Sequence, residues 1–180
     1  MIASLAGRRI DAVGAEPARF PAERAPDVEA RIVAALREHR ATVLVCSAAC
    51  GSDLLALEAA RADGIRARIV LPYAADAFRR KSVVDRDAAA GAAFDRLTGE
   101  AAAHGDLRVL GLPVGDPQAY EMTNIAILDE ALALAGQDPA QVVAFAVWDG
   151  ANDGHVDHTA AFERAARARA IRVASIPILG

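Results

Sequence analysis

Short apolar runs without polar interruption alternate with amphipathic stretches along most of the chain. The run 42–46 is typical of a strand covered on both faces, because it lacks the apolar–polar alternation of a half-exposed strand. The stretch 26–39 instead places Val28, Ile32 and Leu36 on one face of a helix. We therefore predict an α/β fold: a single Rossmann-like three-layer domain with a mostly parallel sheet of about six strands flanked by helices.

The same pattern gives approximate bounds for each element. Strands are predicted at residues 2–6, 42–46, 68–71, 107–110, 142–147 and 171–176. Helices are predicted at residues 26–39, 53–62, 87–103, 120–135 and 159–169. The segments between them, residues 72–83 included, are predicted to be loops.

Length and composition limit the possible classes of protein. A chain of 180 residues with 54% hydrophobic and 24% charged residues fits one folded domain over residues 1–180. Its net charge of −4 argues against a general nucleic-acid or membrane-surface binder. No apolar run approaches the roughly 18 residues of a membrane span. The sparse cysteines, Cys46 and Cys50, and a start unlike a signal peptide predict a cytoplasmic location.

Ligands of open α/β sheets lie beyond the carboxyl ends of the strands, so the loops after the strands are the candidate sites. The first loop begins with Gly7, Arg8 and Arg9. The glycine permits close backbone approach, and the arginines can hold a phosphate or carboxylate. Neighbours on an extended segment face opposite ways, so we expect one arginine to point into the crevice. The alternative is a solvated turn in an arginine-rich chain.

The second loop joins a strand to a helix through small residues. Its candidate ligand-binding residues are Ser47, Ala48, Gly51, Ser52 and Asp53. Such a loop presents backbone N–H groups at a helix N-terminus, which favours anions, and Gly51 is expected to let the backbone approach a ligand. Asp53 would repel a phosphate, so it is interpreted either as an acceptor for a ribose hydroxyl or as a helix cap.

Two later segments are also unusual. Residues 72–83 contain Tyr73 and three adjacent cations at 79–81, which favour either a lid over an anionic ligand or a solvated face. Trp148, in the last loop, is predicted to stack on a base or to cover the end of the sheet.

The last loop continues through Asp149 and Gly150 to Thr159, which is interpreted as a helix N-cap. His155, Asp157 and His158 match no standard zinc spacing, so no metal is expected.

Carboxylates are the candidate catalytic groups, because general acid–base catalysis needs an acid or base within hydrogen-bond reach of the reacting bond. Asp53, Glu121 and Asp149 are the main candidates, and Glu58 is expected to lie too deep. Cys50 is not expected to be a nucleophile, since no histidine lies near it in sequence.

Several motifs occur in a familiar order. They are the Gly7-Arg8-Arg9 turn, the second loop with its helix (residues 46–60), Leu71-Pro72-Tyr73 followed by Phe78 and Ser82-Val83, the helix from Tyr120 with Asn124, and the segment 147–159. In this order the chain resembles the SLOG superfamily of Rossmann-like domains, which includes LOG-type phosphoribohydrolases and the DNA-processing protein A family. Small bacterial proteins of the YpsA/YoqJ type are the most similar in pattern.

The resemblance implies a nucleotide pocket. It departs from LOG-type hydrolases in two respects: the diglycine is missing, and Glu163 follows Thr159 by four residues instead of three. One residue on a helix turns a side chain by about 100°. Glu163 therefore need not face the site, and we favour a binding protein over an enzyme.

The resulting expectation is a domain that binds, and so senses, a nucleotide or nucleotide-sugar derivative, with no cofactor. The alternative is an N-glycosidic hydrolase or transferase of the LOG or deoxyribosyltransferase type. A homodimer is a further expectation, whereas membrane and nucleic-acid partners are not expected. The predicted ligand-binding residues are Gly7, Arg8, Arg9, Ser47, Ala48, Gly51, Ser52, Asp53, Tyr73, Asn124, Trp148, Asp149, Gly150 and Thr159.

Overall fold

A computed structural model describes residues 1–150 and 157–179. Its centre is a six-stranded sheet. The strands are β1 (Ile2–Gly7), β2 (Val43–Cys46), β3 (Arg66–Leu71), β4 (Leu107–Val109), β5 (Val142–Trp148) and β6 (Arg172–Pro177). Their order is β4-β3-β2-β1-β5-β6, and every neighbouring pair is parallel. The predicted α/β class and parallel sheet are confirmed.

Helices cover both faces of the sheet. They are α1 (Ala25–Glu38), α2 (Ser52–Ala62), α3 (Ala75–Ser82), α4 (Ala90–Ala103), α5 (Ala119–Leu134) and α6 (His158–Ala168). Two short 3-10 helices, Ala22–Arg24 and Pro139–Gln141, precede α1 and β5. Helices α1 to α4 contribute to one apolar cluster, and α5 and α6 contribute to a second cluster on the opposite face. The result is the expected three-layer arrangement.

Strand β5 shows why the apolar runs are continuous. Val143 and Phe145 belong to the cluster under α1 to α4, whereas Val142 and Ala144 belong to the cluster under α5 and α6. All four are at most 1% exposed. Successive side chains of a strand point to opposite faces, so a strand buried on both sides needs an apolar residue at every position.

Residues 75–82, predicted as loop, form the helix α3. Phe78 is fully buried, and its ring lies 6.0 Å from those of Tyr73 and Phe94. Arg79 and Arg80 form exposed ion pairs with Asp95 and Asp76. The segment is therefore anchored to the core by Phe78, and the lid interpretation of its cations is not supported.

Strands β2 to β4 follow one another on one side of β1, and β5 and β6 lie on its other side. Strand β2 lies on one side of β1 and β5 lies on the other, so the loops after β1 and β5 diverge at the carboxyl edge of the sheet. Such a topological switch point opens a crevice in which open α/β sheets bind ligands. None of the helices within residues 1–150 and 157–179 combines the length and apolar character needed to cross a bilayer.

Gly7 and Gly99 provide a matched test of this packing. A Cβ at Gly7 would lie 2.5 Å from the Cβ of Ser52 and 2.7 Å from that of Val147, whereas a Cβ at Gly99, in α4, would meet nothing within 4 Å. Gly7→Ala should lower the free energy of unfolding by about 1–3 kcal/mol through overpacking. Gly99→Ala should raise it by about 0.5–1 kcal/mol through helix propensity. Urea unfolding measures both, and equal effects of the two substitutions would contradict the packing described for β1.

Candidate functional site

A cleft of about 390 Å³ lies at the switch point. It is bounded by the ends of β1 and β2 and by the first turns of α5 and α6. Its volume falls within the range of about 300–1,000 Å³ that is typical of small-molecule sites. The predicted residues that line it are Gly7, Arg8, Arg9, Ser47, Asp53, Asn124 and Thr159.

Gly51 lies outside the lining, and the structure gives it a different role from the expected one. A Cβ at this position would lie 2.7 Å from the carbonyl oxygen of Arg8 and from the backbone nitrogen of Ile10. The space beside Gly51 is therefore filled by the first loop of the protein itself. Ser52 reinforces this contact, because its hydroxyl donates to the Arg8 carbonyl at 2.9 Å.

Ala48, Trp148 and Gly150 were also predicted as ligand-binding residues and also lie outside the lining. Ala48 is fully buried, and Gly150 is exposed. Trp148 ends β5, where it is paired with Pro177 and half-buried. This position agrees with the second interpretation of Trp148, as a residue that covers the end of the sheet.

Tyr73 is buried behind the cleft. Its hydroxyl lies 3.2 Å from that of Tyr120, which in turn lies 2.9 Å from the hydroxyl of Ser82. Burial, followed by the hydrogen bond with Tyr120, raises the pKa of Tyr73 to about 12. Tyr73 therefore supports Tyr120, and Tyr120 lines the cleft.

Arg8 joins the first loop to the end of β5 and the start of α6. Its Nε donates to Asp149 at 3.0 Å, and its terminal nitrogen donates to Asp157 at 2.6 Å. Arg19 lies 3.5 Å from the second oxygen of Asp149. The two carboxylates are 9% and 5% exposed, so this ion network is largely shielded from solvent.

Asp157 also caps α6. Its other carboxylate oxygen accepts the backbone N–H groups of Thr159 and Ala160 at 2.9 and 3.0 Å. The N-cap is therefore Asp157, and the predicted N-cap role of Thr159 is corrected. Thr159 is the second residue of α6 and lies buried at the wall of the cleft.

Arg9 lines the same cleft as Arg8, in contrast to the expected one-in, one-out arrangement. Its terminal nitrogen donates to both oxygens of Asp85 at 2.5 and 2.6 Å. Strand β1 ends at Gly7, and Arg9 forms only an isolated antiparallel bridge with Gly51, so the alternation of a continuous strand does not extend to these residues.

Asp53 is a carboxylate that lines the cleft and whose pKa is raised. It is 7% exposed, and desolvation raises its pKa to about 7 against the opposing effects of the Ala49 N–H and Arg9. Its hydrogen bond from Ala49, at 3.1 Å, comes from the loop before α2. This contact is therefore not that of a helix cap, because the donor lies before α2 and not within its first turn.

The other candidate carboxylates lie elsewhere. Glu121 is exposed on α5 and outside the lining, and Glu58 pairs with Arg96. Glu163 pairs with Arg167 on α6, one turn along the helix, and does not line the cleft. Asp149 is held by two arginines. Among the named candidate carboxylates, Asp53 is the one that lines the cleft.

Three buried polar side-chain atoms have no hydrogen-bond partner within the described residues: Arg9 Nε, Ser47 Oγ and His158 Nδ1. All three residues line the cleft. Buried polar atoms in native proteins are nearly always hydrogen-bonded, and leaving one unsatisfied costs about 1–3 kcal/mol. Their occurrence in three residues of one cavity wall makes this cavity the candidate ligand site.

Several lining residues were missed from the sequence, namely Arg19, Arg86, Tyr120, Thr123 and His158. Tyr120 belonged to a recognised motif, and His158 was considered only as a metal ligand. Arg19 had no sequence signal. It reaches the cleft because Asp11 accepts the backbone N–H groups of Arg19 and Phe20, both at 2.8 Å, and folds the loop back.

Metal and thiol chemistry find little support in the described residues. No group of three His, Cys, Asp or Glu side chains in 1–150 and 157–179 could hold a metal ion, and His155 lies outside those residues. Cys46 and Cys50 are free and buried. Burial raises the pKa of both thiols, which disfavours the reactive thiolate.

Fold and cleft together define an α/β domain with a crevice at the switch point of a parallel sheet. No protein-family model matches the chain, and no curated protein matches it. The function therefore has to be argued from the residues of the cleft.

The raised pKa of Asp53 predicts a pH-dependent stability. Between about pH 4 and pH 7 the unfolded chain releases this proton while the folded protein retains it, so stability should fall as pH rises. Asp53→Asn removes the effect. The variant should therefore be more stable than the wild type at about pH 8, by up to roughly 4 kcal/mol, and nearly equal to it at about pH 4. Urea unfolding at both pH values measures the difference, and a pH-independent difference would contradict the assignment.

Proposed function

We propose that the cleft binds a nucleotide or a nucleotide-sugar derivative. The observation that carries the proposal is that three residues lining one cavity, Arg9, Ser47 and His158, each have a buried polar side-chain atom without a partner in the described residues. A nucleotide offers acceptors, donors and an aromatic ring in one molecule of suitable size. The resemblance to SLOG domains supports the same class of ligand.

One pair of guanidinium groups in the cleft would suit the anionic part of a ligand. The carboxylates of Asp149 and Asp157 are already matched by Arg8 and Arg19. In contrast, Arg9 and Arg86 share the single carboxylate of Asp85, which Arg86 approaches to 3.5 Å. Two guanidinium groups beside one carboxylate form a locally basic group, although Asp11 and Asp53 line the same cleft, and guanidinium binds phosphate well.

Sensing, a cytoplasmic location and a homodimer belong to the same proposal. Helix α5 exposes Met122 and Ile125, at 43% and 37%, and such a surface would suit a second copy of the chain. The buried free thiols of Cys46 and Cys50 fit a reducing compartment. A sensor would report the bound ligand through this surface or through a partner, without chemistry in the cleft.

Ser47→Ala provides a specific test of the binding site. It deletes a buried hydroxyl that has no partner among the described residues, so the ligand-free protein should become slightly more stable while nucleotide affinity falls about tenfold. Arg9→Gln should weaken binding by at least as much. The control is Arg80→Gln, which changes an exposed arginine of α3 outside the cleft.

Calorimetry and thermal shift with nucleoside monophosphates, nucleotide sugars and ADP-ribose measure these effects. A ligand at 100 times its Kd should add roughly 2.7 kcal/mol of apparent stability. Binding that persists unchanged in Ser47→Ala and Arg9→Gln would place the ligand elsewhere, and absence of binding across the whole series would refute the proposal.

A second candidate function is hydrolysis of the N-glycosidic bond of a nucleotide, and Asp53 is the observation that favours it. A carboxyl whose pKa lies at about 7 can act as acid and as base near neutrality. In this reaction the C1′–N bond breaks and a C1′–O bond to water forms. Asp53 would give its proton to the departing base and regain one from the attacking water.

Incubation with AMP, dAMP and NAD, followed by chromatography for free base, tests this second function. We expect no rapid release from the wild type, as for a binding protein. Release that is lost in Asp53→Asn but retained in Glu121→Gln, whose exposed carboxylate lies outside the lining, would establish the enzyme in place of the sensor.

A further inference from the structure

We infer that Tyr120 and His158 form the subsite for the aromatic heterocycle of the ligand, which assigns the base end of the proposed nucleotide. The inference rests on the proposed function and adds an orientation to it. Both residues line the cleft, where they are half-buried. Their rings lie 5.7 Å apart with an interplanar angle of 53°.

The part of Tyr120 that a ligand can use is its aromatic ring and not its hydroxyl. Its hydroxyl is bonded to the side chains of Ser82, at 2.9 Å, and Tyr73, at 3.2 Å. These two bonds hold the phenol in one orientation and satisfy its polar group. What remains for a ligand is the π-face, and any nucleobase stacks well on an aromatic ring.

His158 supplies a polar group beside that ring. It is the first residue of α6, and its backbone carbonyl accepts the side-chain N–H of Asn124 at 2.9 Å. This bond fixes α6 against α5 and so positions the imidazole. The Nδ1 atom is buried and has no partner among the described residues. A nucleobase that stacks on Tyr120 would carry a ring nitrogen or an exocyclic amine that can form a hydrogen bond with Nδ1.

The rest of the cleft agrees with this division. Thr123 and Ile127 lie on the same helix as Tyr120 and line the wall beside it. Arg9 and Ser47, with their unpartnered atoms, come from the loops after β1 and β2 and suit the phosphate or sugar. Trp148, the aromatic residue expected from sequence to stack on a base, does not line the cleft.

Two probes separate the base subsite from the anion site: AMP and ribose 5-phosphate, which lacks the base. In calorimetry the wild type should bind AMP at least tenfold more tightly. Tyr120→Leu and His158→Ala should each weaken AMP binding about tenfold and change ribose 5-phosphate binding less than twofold. Tyr120→Phe is the matched control for stacking, because it keeps the ring and removes the hydroxyl, and it should retain AMP affinity within threefold.

The outcomes distinguish this inference from the proposed function. Equal wild-type affinity for the two probes, or equal losses of both in Tyr120→Leu and His158→Ala, would overturn the base subsite while the anion site stands. Loss of AMP binding in Tyr120→Phe as large as in Tyr120→Leu would also overturn it, since a structural role of the hydroxyl would then explain both. Binding of neither probe would overturn the inference, and the proposed function fails with it if the nucleotide sugars and ADP-ribose do not bind either. Thermal unfolding verifies that each variant is folded, and His158→Ala supplies the test if Tyr120→Leu is not.

Discussion

Two nearly buried carboxylates, Asp149 and Asp157, make the end of β5 and the start of α6 dependent on Arg8. Buried charges are stable only when paired and hydrogen-bonded, and removal of one partner is strongly destabilising. Arg8 donates to both carboxylates from the first loop, on the opposite side of the switch point. The crevice is therefore held at its mouth by an internal ion network. Of the two arginines that the sequence offers as phosphate ligands, Arg8 is committed to this network, and Arg9 is paired with Asp85.

The fold was largely predictable because a doubly covered strand requires apolar residues at successive positions. Strand β5 was predicted at 142–147 and runs to Trp148, and α5 was predicted at 120–135 and spans Ala119–Leu134. Helix α3 was missed because it is short and dominated by charged residues. Its single deeply buried aromatic residue, Phe78, docks it onto the core through contacts with residues distant in sequence. Such tertiary contacts leave little local pattern.

The candidate site was predictable where it follows strands, and less so where it does not. Gly7, Arg9, Ser47 and Asp53 were found because strand ends mark the carboxyl edge of a sheet. Arg19 reaches the cleft through a loop folded back by Asp11, which no spacing reveals. Gly51 indicates that another group approaches the backbone closely, but the sequence does not identify that group. A ligand was expected there, whereas the backbone of the first loop occupies the space.

Ser82 has a consequence for the width of the crevice. Its backbone carbonyl accepts the N–H of Cys50, in the second loop, at 2.8 Å, and its hydroxyl is bonded to Tyr120, in the first turn of α5. These two walls cannot separate without breaking one of the two hydrogen bonds. Ser82, which does not line the cleft, thus links the two walls, and movement of either wall is transmitted to the other through this one residue.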